Sequence, residues 1–156
     1  MSTSDEAGGR MTGANKRSDL LVAGDEFEPF EFHVTPEFNE NYLHAVQDHH
    51  PRYTEGPDAV VHPALLILCS NCTRSPSFAQ DPGMAAIQTH ELVEYHAAGR
   101  VGSTFRATFR VVETYEKRGR PYQVVVAPVV DEKGTPIITR TTTYTYVGGP
   151  YPGIGP

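Results

Sequence analysis

The sequence is poor in three things, and each shortage removes a class of function. No apolar stretch approaches the roughly 18 to 20 residues needed to span a bilayer, and the N-terminus lacks the hydrophobic segment of a secretory signal. A cytoplasmic protein with no membrane partner is therefore expected. Positive charge is also scarce, with 13 Lys and Arg against 19 Asp and Glu and a net charge of -6. Without a dense basic block the electrostatic footprint of a nucleic-acid binder is missing. Cysteine is limited to Cys69 and Cys72. Their spacing is that of a redox or zinc half-site, but they lie in an apolar run with no second ligand pair, so they read as buried free thiols. His33, His44, His90 and His96 form no metal set with carboxylates, and no metal is expected.

What remains is enough for one domain with a single core, needing no disulfide or metal staple at 156 residues. Residues 1–22 carry Ser, Gly, Asp, Asn and Lys with little apolar period, and are expected to be a disordered leader. Residues 23–147 hold the domain, and 148–156 form a tail with too much Gly and Pro to continue a sheet.

Within the domain, Phe27, Phe30, Phe32 and Val34 mark a short strand, and Thr35-Pro36 reads as a helix N-cap with proline at the first helical position. The spacing predicts a helix to about Asp48, burying Phe38, Tyr42, Ala45 and Val46, with Pro51 as its stop. A second helix, apolar on nearly every side, is expected from Pro63 to about Arg74. From residue 85 the pattern turns extended. Phe105, Ala107, Phe109 and Val111 alternate with polar neighbours, and the turns at 116–121 and 131–134 give a three-strand antiparallel meander over 104–147. An apolar helix among antiparallel strands is most simply wrapped by them, an α+β arrangement.

The densest chemistry sits at 42–62, where Asp48, His50, Tyr53 and His62 gather around a helix end and a loop. A carboxylate freed from a helix end beside imidazoles can serve as a general base.

The pattern Tyr42-x-x-Ala45-Val46-x-Asp48-x-His50-Pro51-x-Tyr53, followed by Val61-His62-Pro63-Ala64-Leu65, Glu94-Tyr95-His96 and Val101-Gly102, resembles the MaoC-like hydratases and dehydratases of the hot-dog fold over about residues 25–147. The resemblance implies a curved antiparallel sheet wrapped around a central apolar α-helix, and homodimers or higher oligomers joining the sheets of two subunits. It also implies hydration of an enoyl thioester, or dehydration of a 3-hydroxyacyl thioester, carried on coenzyme A or acyl carrier protein, with no cofactor. The family pattern is Asp, one residue, Asn, Pro, one residue, His. Here Asp48 and Pro51 match, His50 replaces the Asn, and Tyr53 replaces the catalytic His.

Asp48 is accordingly expected to activate water, with Tyr53 or His50 as proton donor or water-orienting group. A phenol, with an ordinary pKa of about 10, can donate a proton but is a poor base at neutral pH, whereas an imidazole can do either job. Pro63 stands where relatives have glycine and offers no N–H, so the Ala64 amide at the helix N-terminus would have to serve the thioester oxygen. His62 would orient the loop or line the tunnel, or serve as a capping or packing residue before the second helix, Asn71 would anchor backbone or touch substrate, and Leu65, Leu66 and Phe78 would line an acyl pocket or the core. Two alternatives stay open: a non-catalytic thioester-binding subunit of a hetero-oligomer, and an acyl-thioester hydrolase on the same fold.

Overall fold

The computed structural model describes residues 16–148. Its elements are β1 (Glu26–His33), α1 (Pro36–Val46), α2 (Pro63–Cys69), β2 (Met84–Tyr95), β3 (Thr104–Lys117), β4 (Arg120–Asp131) and β5 (Pro136–Gly148), with 3-10 turns at Ser18–Leu20, Pro51–Tyr53 and Cys72–Arg74. All five strands form one antiparallel sheet in the order β1-β3-β4-β5-β2. The expected meander is its centre. The two earlier strands occupy opposite edges, so the chain crosses the sheet after β2 to begin β3. Among the described residues no helix is long and apolar enough to cross a membrane.

The aromatic entry strand shows how sequence becomes packing. Phe27 and Phe30 are three residues apart and would face opposite sides of a regular strand. A shift in the β1–β3 register between them turns both toward the core. Phe30 then stacks on Phe109 at 5.6 Å between ring centres, and Phe32 meets Phe105 at 5.5 Å. On β3 the predicted alternation holds: Phe105, Ala107, Phe109 and Val111 are buried.

Helix α1 starts as expected, with Thr35 Oγ1 accepting the Phe38 amide at 3.0 Å. Its buried face differs from the predicted one. Phe38, Ala45 and Val46 are exposed and Tyr42 is half-buried, while Asn39 and Leu43 carry the contact with the body of the protein. The period was read from the apolar residues, and the buried stripe is set one residue away, where a polar amide has partners. The helix also ends before Pro51. Gln47 adopts a left-handed conformation at φ 57°, its amide and that of Asp48 bond back to His44 and Leu43, and the chain leaves the axis.

Helix α2 lies against the sheet through Leu65, Leu66 and Cys69, part of one core with residues of all five strands. It is shorter and more one-sided than expected. Leu68 is exposed, and Ser70 closes the helix by bonding its hydroxyl to the Leu66 carbonyl at 2.7 Å. Asn71 then caps the separate turn at 72–74. The span expected to be leader includes packed residues at its C-terminal end. Ser18 and Leu21 are buried, and the Gln123 side chain donates to the carbonyls of both at 3.0 Å. Residues 1–15 and 149–156, the rest of the leader and nearly all of the tail, lie outside the described residues.

Both cysteines are buried free thiols, as read from sequence. Burial pushes the Cys72 thiol up to about 11 and raises Cys69 as well. Stability is therefore unaffected by these thiols below the ordinary thiol range and falls as pH rises toward the folded value of about 11. Native protein is therefore expected to leave both thiols unlabelled by an aromatic disulfide reagent at about pH 8, with both reacting on denaturation. Rapid native labelling would contradict this packing.

Candidate functional site

The site is made by the segment that follows α1 and by the residue that opens α2. Because the chain leaves the axis at Gln47, the Asp48 side chain is free of the helix. Its Oδ1 accepts the His50 amide at 3.1 Å, and its Oδ2 lies 3.3 Å from His62 Nε2. The carboxylate is still 39% exposed and the imidazole 18% exposed, so the acid keeps access to water while its partner is largely enclosed. Tyr53 and Tyr42 flank the imidazole, their ring centres 5.0 Å and 5.3 Å from it.

The tautomer of His62 follows from its second bond. Its Nδ1 accepts the Ala64 amide at 3.2 Å, forming the N-cap of α2. An accepting Nδ1 carries a lone pair, so the neutral ring holds its proton on Nε2 and donates it to Asp48. Full protonation would set Nδ1–H against the Ala64 N–H. His62 is thereby fixed as a hydrogen-bond donor that orients the carboxylate. The capping role read for it from sequence and its proximity to the acid are two ends of one ring.

The other expected residues divide. Tyr53 packs its ring on that of His62. His50 contributes mainly through backbone geometry, since its Nδ1 accepts the Arg52 amide at 3.2 Å and caps the turn at 51–53, with its ring 6.1 Å from that of Tyr53. The Ala64 amide is already engaged by His62, so its expected place as an oxyanion donor is taken. Leu65 is fully buried in the core, and Phe78 packs on Phe27 at 6.0 Å. Asn71 Oδ1 accepts the Thr73 amide and the Tyr144 hydroxyl at 3.1 and 3.0 Å, the backbone-anchoring reading. Among the described residues no group of His, Cys, Asp and Glu could hold a metal.

Two residues with a part in the site were missed. Asn39, buried on α1, bonds to the backbone of both Tyr53 and His62. Gly99 is the second. Its carbonyl accepts the Val61 amide at 2.8 Å, and a Cβ placed there would lie 3.0 Å from the Phe105 ring and 3.4 Å from Leu66. Gly99→Ala is expected to cost about 1–3 kcal/mol through overpacking, read as a lower urea midpoint. An unchanged midpoint would show that the ring moves freely.

Gly99 also forms part of a cavity of about 350 Å³ bounded by Arg52, Val61, Pro63, Leu66 and Tyr95. Tyr53 borders a different cavity, of about 270 Å³, with Pro36, Asn39, Ala59 and Val101. The first falls within the size range of small-ligand pockets and is mostly apolar.

No family model matches the sequence, and no curated protein matches it. Solved structures do. The (R)-hydratase from A. caviae involved in PHA biosynthesis superposes with a TM-score of 0.66 at 12% identity, over 80% of this chain and 96% of that one. A MaoC-like dehydratase from Rhodospirillum rubrum gives 0.64 at 13% identity over 82% and 93%. The HadBC (3R-hydroxyacyl-ACP dehydratase) complex from Mycobacterium tuberculosis gives 0.66 at 15% identity over 81% and 98%. Identities this low speak to architecture, and on architecture they agree with the sheet and helix described above: the chain has the hot-dog fold, and the structures it resembles include MaoC-like dehydratases and (R)-hydratases.

Proposed function

We propose that this protein is a hydratase or dehydratase of acyl thioesters, with Asp48 as the base that activates water. The observation that carries the reading is the Asp48–His62 pair. A water-accessible carboxylate is held by an imidazole donor at 3.3 Å, and the residues on either side of that imidazole in sequence, Val61 and Pro63, line an apolar cavity of about 350 Å³.

In the hydration direction the acyl group enters the apolar cavity next to Pro63 and Leu66, and a water bound to Asp48 gives up a proton to the carboxylate as its oxygen bonds to C3. The C2–C3 π electrons move toward the thioester carbonyl, and C2 then takes a proton. Tyr53 is the proposed donor, since neutral His62 cannot release its single N–H without becoming an imidazolate; the proton taken up by Asp48 then passes through solvent to the Tyr53 phenolate, which restores both groups. Dehydration runs the same steps in reverse. Coenzyme A or acyl carrier protein is the proposed carrier, no cofactor takes part, and the protein acts in the cytoplasm.

A second reading has its own support. The Ala64 amide is occupied, and the family histidine is a tyrosine, which favours a site completed by another subunit. The HadBC dehydratase that this chain resembles is itself a complex. The outer strand β2 exposes Ile87, Leu92 and Tyr95, an edge on which a second copy or a related chain would pair.

The test is a panel of 2-enoyl-CoA substrates followed by absorbance, run beside thiol release from saturated acyl-CoA. Absorbance loss without thiol release supports the hydratase. Thiol release from saturated substrate supports a hydrolase, and acyl-CoA binding without turnover supports the partner subunit.

A further inference from the structure

We infer that Asn39, a buried amide on α1, is the positioning residue that sets the separation of Tyr53 and His62 and thereby holds His62 on Asp48. The inference deepens the proposed function and rests on it. Asn39 is 1% exposed. Its Nδ2 donates to the Tyr53 carbonyl at 2.9 Å, and its Oδ1 accepts the His62 amide at 3.3 Å. The orientation of the amide is unambiguous, because a carbonyl only accepts and a backbone N–H only donates.

These two bonds meet at the ends of the loop 54–61, which has no helix or strand of its own. Tyr53 and His62 lie nine positions apart and are brought to 5.0 Å between rings. Across the loop the Val60 amide reaches the Arg52 carbonyl at 3.0 Å, while Val61 and Ala59 are tied to the separate segment at Gly99 and Val101. Among the described residues, Asn39 is the one side chain that hydrogen-bonds to both Tyr53 and His62. It sits on a regular helix anchored by its N-cap and by buried Leu43, four residues on, whose carbonyl receives the Asp48 amide. One turn of α1 thus fixes the base through Leu43 and its partner through Asn39. A side chain that spans a gap between a rigid element and two loop ends is suited to hold reacting groups within the fraction of an ångström that catalysis demands.

The experiment compares wild type with Asn39→Leu, which keeps the branched side-chain shape and favours the helix but removes both bonds. Asn39→Ser, too short to hold both partners, repeats the test if the leucine variant unfolds. The exposed Asn41→Ala on the same helix is the control. Two readouts are taken: the ¹⁵N shifts of the His62 ring, which report its tautomer, and kcat separately from KM on the best 2-enoyl-CoA. Wild type is expected to show the Nε2–H tautomer. The folded Asn39 variants are expected to lose that signature and about tenfold or more in kcat with KM little changed. A folded variant that keeps the His62 signature, or keeps kcat within about threefold of wild type, overturns the inference. Absence of turnover in wild type would remove the proposed function, whereas the ring shifts would still decide whether Asn39 positions His62.

Discussion

Asp48→Asn is expected to reduce hydration kcat by about a hundredfold or more, the range for loss of a general base, with little change in unfolding temperature. The amide cannot simply stand in for the carboxylate. Asp48 accepts on both oxygens, from the His50 amide and from His62 Nε2. Asparagine offers one oxygen and one NH2, so either way round a donor faces a donor. The alternative is for His62 to move its proton to Nδ1, which would cost the bond to the Ala64 amide and the cap of α2. The substitution removes the base and disturbs its orientation together. Because the carboxylate is 39% exposed, the stability effect is small. Comparison of initial rates with thermal unfolding of the same samples checks both halves, and a large fall in unfolding temperature would point to a structural role instead.

Arg140→Met is expected to destabilise the fold by about 3–5 kcal/mol, the cost of breaking a buried ion pair from one side. Arg140 is 2% exposed on the helix-facing side of β5. Its Nε donates to Glu91 Oε1 at 2.6 Å, its Nη2 pairs with the same carboxylate, and its Nη1 donates to the Ile67 carbonyl at 2.9 Å. One guanidinium therefore joins the edge strand β2, the strand beside it and the last turn of α2. Removal strands a carboxylate and a helix carbonyl. A domain of this size is expected to melt about 6–20 °C lower. The double variant Arg140→Met/Glu91→Leu, which removes both charges, is expected to recover part of the loss. An Arg140→Met protein with wild-type stability would mean that water replaces the guanidinium at no cost.

The central sheet was legible because its signals are local. The alternation of Phe105, Ala107, Phe109 and Val111 fixes a face, and Gly134 at positive φ closes the β4–β5 turn as its neighbours suggest. Strand order was less accessible, since nothing within β1 or β2 says that each pairs with a partner far along the chain. The face of α1 was misread for a related reason. Asn39 is buried because of what Tyr53 and His62 bring to it, and period analysis scores an amide as polar whatever its partners. The site itself was half legible. Asp48 and Tyr53 stand out by their motif, but the bond from His62 to Asp48 depends on how a loop closes, and the occupation of the Ala64 amide depends on a rotamer. Arg140 left a usable trace: it falls on the same side of β5 as Ile138, Thr142 and Tyr144, where a charged residue has to find a partner.

The most direct test of the account is the rate at which the purified protein, without added partner, consumes a 2-enoyl-CoA panel, measured against Asp48→Asn as the blank. The account expects wild type to hydrate at least one member while the blank stays near the uncatalysed rate. Equal rates in the two proteins on every member of the panel would contradict it.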